Sequence, residues 1–171
     1  MSNKEILKDQ VCPFCGNKTL TLVEEQREIP YFGIAYLFSM DCSSCDYFKA
    51  DIEFEKQQKK AKYKLDIDSE EDMKIRIIKS SNATIKIPRI ITITPGPMSN
   101  GYITNVEGII NRVEKVLKDK LETEDDNSKK KKLKNMIKKL QKVKWGNEKL
   151  TLIIEDPTGN SAIISDKAIK S

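Results

Sequence analysis

The residues best equipped for chemistry in this chain are four cysteines. They fall as Cys12-Pro13-Phe14-Cys15 and Cys42-Ser43-Ser44-Cys45, two C-x-x-C pairs with 26 residues between them. A tight C-x-x-C turn aims two sulfurs at one point. Two such turns facing each other supply the four thiolates, each at about 2.3 Å, that tetrahedral Zn2+ takes. Gly16 follows the first pair and gives the backbone freedom such a knuckle needs. Asp46 takes the equivalent place after the second, where aspartate tolerates positive φ better than most residues. An all-thiolate shell leaves no position for a metal-bound water, so the metal would staple and not catalyse. Three other chemistries use thiolates. Disulfide frameworks belong to small secreted domains, a redox C-x-x-C needs one pair in a βαβ unit, and iron–sulfur clusters favour more compact spacings. The paired spacing fits Zn2+ best.

The rest of the composition excludes most catalytic alternatives. There is no histidine in the 171 residues, which removes Ser-His-Asp and Cys-His catalysis, histidine bases and histidine-containing metal sites. The reading is therefore not an enzyme. The net charge is +5, yet nine lysines and no acid lie between Asn127 and Lys144, so the remaining chain is net acidic. Only four arginines occur, and arginine is the side chain best suited to bidentate base or phosphate reading. Apolar stretches are short and broken by charge, giving no membrane-spanning segment, and Met1 to Glu5 lack the apolar run of a secretory signal. The expected location is the cytoplasm.

The elements that must position the cysteines follow from periodicity. Leu20 to Val23 and Tyr31 to Phe38 read as arms of a hairpin between the knuckles, with Pro30 marking its turn. Residues 1–11 read as a helical or frayed lead-in, and Phe48, Ile52 and Phe54 as an extended segment leaving the metal. Residues 1–55 thus form a zinc-ribbon module and residues 56–171 a β-domain. In the latter, apolar residues alternate with charges at Tyr63-Leu65-Ile67, Ile75-Ile77, Ile85-Ile87 and Ile91-Ile93, as in an antiparallel sandwich or barrel. Val106, Ile109, Ile110, Val113 and Leu117, then Leu133, Met136, Ile137, Leu140 and Val143, repeat at helical spacing. They predict a helical hairpin inserted at about 106–145, closed by Trp145 and Gly146. Strands resume at Leu150 to Ile154 and Ala162 to Ile164.

Candidate contact residues sit on both parts. Tyr31, Phe32, Tyr36 and Phe38 lie along one arm, and because alternate strand residues face opposite sides, about half should belong to the ribbon core and the rest face a partner. Lys129, Lys130, Lys131 and Lys132 read either as a solvated helix start or as a contact for RNA or an acidic partner. Asp156-Pro157-Thr158-Gly159-Asn160-Ser161 has the residues of a tight turn and not of a catalytic aspartate. The acidic cluster Asp66, Asp68, Glu70, Glu71 and Asp72 lacks the ordered ligand spacing of a calcium loop and reads as a turn and helix start.

In order and spacing, several signatures together resemble the ZPR-type zinc-finger family. They are Cys12-Pro13-Phe14-Cys15-Gly16, Ile29-Pro30-Tyr31-Phe32, Ser39 to Cys45, Ile78-Lys79-Ser80, Ala83 to Pro88, Thr94-Pro95-Gly96, Val106-Glu107-Gly108 and Glu155 to Ser161. The resemblance implies a mainly β fold: a four-cysteine zinc ribbon joined to a double-stranded β-helix-like domain carrying the helical hairpin. Eukaryotic proteins similar to this hold two such modules and bind translation elongation factor 1-alpha, acting in its folding or handling. The chain has length for one module, like the archaeal branch. By resemblance its partner is elongation factor 1-alpha, and the alternative is a zinc-ribbon nucleic-acid binder. Three positions depart from the family pattern: Asp46 replaces the usual glycine, Arg89 stands where an acid often follows Ile-Pro, and Asn105 replaces a threonine.

Overall fold

The computed structural model describes residues 3–30, 32–56 and 59–171. Its first sheet is an antiparallel meander of β1 (Lys4–Gln10), β2 (Leu20–Ile29), β3 (Gly33–Cys42) and β4 (Phe48–Phe54), in that order. The predicted hairpin is the β2–β3 pair, whose register runs unbroken from Leu20↔Cys42 to Ile29↔Gly33. Its turn closes through Phe32 N donating to the Ile29 carbonyl at 3.1 Å, and Gly33 follows with φ +82°. The lead-in is corrected: it is strand β1, not helical or frayed. Every residue of β1 is exposed, so no buried face of its own holds it in place. It is recruited by the free edge of β2, a pairing that local periodicity does not reveal.

The remaining strands are β5 (Ala61–Ile67), β6 (Arg76–Lys79), β7 (Thr84–Ile87), β8 (Ile91–Ile93), β9 (Tyr102–Asn105), β10 (Leu150–Asp156), β11 (Ala162–Ile164) and β12 (Ile169–Lys170). They form a five-stranded sheet ordered β12-β5-β10-β7-β8 and a three-stranded sheet ordered β11-β6-β9. All pairs are antiparallel, a jelly roll. The alternation read in the sequence is real: Ala61, Tyr63, Leu65 and Ile67 are buried while the residues between them are exposed. Strand β6 departs from it. Ile77 and Ile78 point to opposite faces yet are both fully buried, so both faces of this central strand are covered.

Helices α1 (Val106–Thr123) and α2 (Asn127–Lys144) form the predicted hairpin between β9 and β10. Asn105 caps α1, its Oδ1 accepting from Gly108 N at 2.8 Å, a task a threonine hydroxyl also performs, though less strongly. Asp126 caps α2 by accepting from Lys129 N at 2.9 Å. At the other end Gly146, with φ +69°, donates to Val143 O and Asn147 N to Lys142 O, a glycine-capped stop. Ile109, Ile110, Val113 and Leu117 of α1 and Ile137, Leu140 and Val143 of α2 are buried.

One large apolar core runs through the jelly roll and the helices, and it reaches into the first sheet. Ile29, Ala35, Ile52 and Phe54 belong to it. A second, much smaller cluster holds only Cys12, Leu20 and Cys42 as buried members, with Leu22, Met40, Cys45 and Tyr47 packed against it. Along β4 the two parts are laced by hydrogen bonds. Ala50 N donates to Asn100 Oδ1 at 2.9 Å and Gly101 N to Ala50 O at 2.8 Å. Ser81 N donates to Asp51 Oδ1 at 2.8 Å, and Phe54 N to Asn160 Oδ1 at 3.2 Å.

Candidate metal centre

Each C-x-x-C pair is a hydrogen-bonded knuckle. In the first, Cys12 N donates to Asn17 O and Gly16 N to Cys12 O, both at 2.9 Å, and Phe14 N approaches Cys12 Sγ at 3.4 Å. In the second, Cys42 N donates to Tyr47 O at 2.9 Å. Gly16 has φ +76° and Asp46 φ +55°, so the two positions after the pairs share the left-handed conformation expected of them. The knuckles face each other because the β2–β3 register ends with Leu20 opposite Cys42. Ser43 N donates to Thr19 O at 3.3 Å across the gap, and the Phe14 and Tyr47 rings stack with centroids 6.1 Å apart.

The four sulfurs lie within 4.8 Å of one another. Cys12 and Cys45 Sγ are 3.7 Å apart, Cys15 and Cys42 Sγ 3.8 Å. A tetrahedron with Zn–S bonds of about 2.3 Å has edges of about 3.8 Å, so these separations already have the scale of a zinc shell. All four thiols are free, and the disulfide reading is dismissed. Cys12 and Cys42 are buried, Cys45 half-buried and Cys15 exposed. The thiols are unequal. Thr19, whose hydroxyl oxygen lies 3.4 Å from Cys42 Sγ, and the amides of Ser44 and Cys45 bring the Cys42 pKa down to about 6. Burial pushes Cys45 up to about 12. One thiolate is accommodated by the protein alone, but four crowded together need a dication to offset their charge. The donor set, its edges and its knuckles suit Zn2+.

Of the aromatic candidates, Phe32 is half-buried, stacked on Phe54 at 5.5 Å and 6.5 Å from Tyr63 at the edge of the main core. Tyr36 is half-buried and stacks on Phe38 at 6.4 Å on the opposite face of β3. Tyr31 lies outside the described residues. Lys129, Lys131 and Lys132 are exposed and Lys130 half-buried, all in the first turns of α2. Their end of the hairpin is its free tip, roughly 25 Å along α1 from Asn105 at about 1.5 Å per residue. The structure thus sets the lysines on one element and the aromatics on another.

Sequence reasoning missed a groove of about 350 Å3 on the ribbon sheet, where Leu7, Leu22, Phe38 and Met40 line it together with Glu5 and Glu24. Its signal was the i, i+2 spacing of Phe38 and Met40, incomplete without β1. Also missed was Glu114, buried between the helices. Lys144 donates to it at 2.8 Å, Lys118 at 2.9 Å and Gln141 at 3.3 Å. Burial alone would raise its pKa, but these donors outweigh it and bring it down to about 2. Asp156 is fully buried, accepting from Ser80 Oγ at 2.6 Å, Ser161 Oγ, and Thr158 N at 2.8 Å. It is the hub of a turn, as its neighbours imply. In the acidic cluster, Asp72 accepts from Asp68 N and Lys167 Nζ, so its charge is already engaged.

A four-cysteine ribbon continuous with a jelly roll that carries a helical hairpin defines a zinc-finger protein of composite type. Residues 71–171 match the ZPR1 jelly-roll domain, and the chain belongs to the ZPR1 family. A ZPR1-like protein of Methanocaldococcus jannaschii is 38% identical over 157 residues, 91% of this chain and 79% of the relative. One from Pyrococcus horikoshii is 34% identical, covering 91% and 72%. The zinc finger chaperone zpr1 of Schizosaccharomyces pombe is 28% identical over 91% of this chain, which spans 34% of that longer relative. Among the described residues no helix is long and apolar enough to cross a membrane.

Proposed function

We propose that this chain is a zinc-stapled, non-enzymatic binding factor of the cytoplasm that holds a translation GTPase, elongation factor 1-alpha, and assists its folding or handling. The observation that supports it most is the metal centre: four thiolate donors leave the ion no open position for substrate or water, and the knuckles they fasten border an exposed apolar face instead. That face, with Phe38 36% and Leu7 58% exposed, has the aromatic and aliphatic character of protein hot spots. The similar fission-yeast protein is named a chaperone. The lysines at the hairpin tip offer a second, electrostatic contact. Free thiols arranged for zinc suit a reducing compartment.

The test is binding of the zinc-loaded chain to purified elongation factor 1-alpha, measured by calorimetry. Phe38→Ser and, separately, charge reversal of Lys129 to Lys132 should each weaken binding about tenfold or more with zinc content unchanged. No complex with the unaltered chain would overturn the proposal. The nucleic-acid reading rests on the nine lysines of α2. RNA binding whose affinity falls steeply with salt, lost on the same charge reversal, would favour it instead.

A further inference from the structure

A cavity of about 340 Å3 opens between β8, the segment that follows it, and α1. Ile93, Ile109 and Val116 give it a hydrocarbon wall, and its lining includes the cations Lys79, Arg112 and Lys115 but no carboxylate. Lys79 is 4% exposed, and burial pushes its pKa down. Its ammonium donates to the Ser80 carbonyl at 2.9 Å and stands in no ion pair among the described residues, although an ammonium has three donors to satisfy. Asp156 and Asp51 lie near enough to favour its charge. Neither accepts a hydrogen bond from it, however: Asp156 accepts from Ser80, Ser161 and Thr158, and Asp51 from Ser81 and Ile52 N. Arg112 stacks over the Tyr102 ring at 4.0 Å, and Lys79 Nζ lies 5.5 Å from the same ring. The planar fork of Arg112 has no acceptor among the described residues.

We propose that this cavity binds an aliphatic carboxylate. The anionic end meets Lys79 and the Arg112 fork, and the hydrocarbon lies along Ile93, Ile109 and Val116. A buried ammonium left two donors short is costly unless an acceptor arrives, and a carboxylate supplies two oxygens with fork geometry. A monoanion fits better than a dianion, because the nearby Asp156 and Asp51 carboxylates offset part of the positive potential. The hydrocarbon wall excludes a strongly hydrated group. Two sources carry this chemistry: a free aliphatic acid, or the terminal residue of a peptide.

Methyl-resolved NMR of the zinc-loaded full chain, titrated with hexanoate, hexanol, N-acetyl-leucine and its amide, separates the outcomes. Saturable shifts of the Ile93, Ile109 and Val116 methyls are expected with both carboxylates, and about tenfold weaker binding with hexanol and the amide. Arg112→Gln, at the exposed mouth, should weaken hexanoate about tenfold while the spectrum stays that of the folded chain. Lys79→Met should abolish binding. Tighter binding of hexanoate identifies a free acid as the source, and tighter binding of N-acetyl-leucine a peptide end. The proposal is overturned if neither carboxylate gives saturable shifts, if hexanol binds as well as hexanoate, or if Arg112→Gln changes nothing.

Discussion

The two ends of the ribbon sheet share strands but not a source of stability. At the metal end the buried residues are Cys12, Leu20 and Cys42, too few for a core. At the other end Ile29, Ala35, Ile52 and Phe54 are embedded in the main core with the jelly roll. Between them the β2–β3 register does not change. One sheet is therefore held by coordination chemistry where apolar burial runs out, and by burial where it does not. The hairpin geometry is common to both ends. What differs is what lies against each.

Breaking the metal end should have the largest effect, since structural zinc contributes on the order of 10 kcal/mol to the fold it organises. Cys42→Ser should lose stoichiometric zinc in metal analysis. Hydrogen exchange should then open the amides near Leu20 and Cys42 while those near Ile29 and Ala35 stay protected. Retention of zinc in that variant would sink the four-thiolate site. Phe54→Ala is the converse break. A cavity beside Phe32 and Tyr63 should cost about 3–5 kcal/mol across the whole chain in denaturant melts, with zinc still bound in the folded form.

Glu114→Gln probes stability that belongs to neither end. Loss of charge-assisted bonds to Lys144 and Lys118 should cost roughly 2 kcal/mol at neutral pH. Because the folded pKa of Glu114 lies below its ordinary value, its contribution is present above pH 4.5 and fades as pH falls toward about 2. Chemical melts of wild type and variant should therefore converge across that window; curves that stay parallel would refute the assignment. A smaller effect is expected at the lacing between the parts. A Cβ on Gly101 would sit 3.0 Å from Asp51 Cα and 3.1 Å from Ile52 N, so Gly101→Ala should push β4 away and cost about 1–2 kcal/mol. Smallest is Asp46→Gly, which relieves a positive φ and should raise thermal stability by up to about 1 kcal/mol with zinc retained. A loss of stability there would mean that the Asp46 side chain contributes something the knuckle needs.

What could be read from the chain and what could not divides along sequence distance. The cysteine knuckles were legible because each is a local turn, and the hairpin between them because its arms flank Pro30. The helix stop at Gly146 was legible for the same reason, since its cap acts within four residues of itself. Strand β9 was hidden, since Tyr102 to Asn105 is half-buried throughout and shows no alternation. The lacing of Asp51 to Ser81 and Phe54 to Asn160 spans 30 and 106 residues, and no local pattern encodes it. Lys79 is the sharpest case: a lysine inside a strand reads as solvent-facing, and only the stacking of sheets and α1 around it makes it buried. The arrangement of sheets came from the family resemblance, whereas the alternation gave only sandwich or barrel.

The ladder between β2 and β3 has ten consecutive rungs, from Leu20↔Cys42 to Ile29↔Gly33. A lone insertion in either rail would turn every side chain beyond it to the wrong surface and carry one knuckle out of reach of the other. Short of a bulge, the ribbon lengthens or shortens in matched, two-residue steps on both rails, so the distance from ion to jelly roll comes in fixed increments.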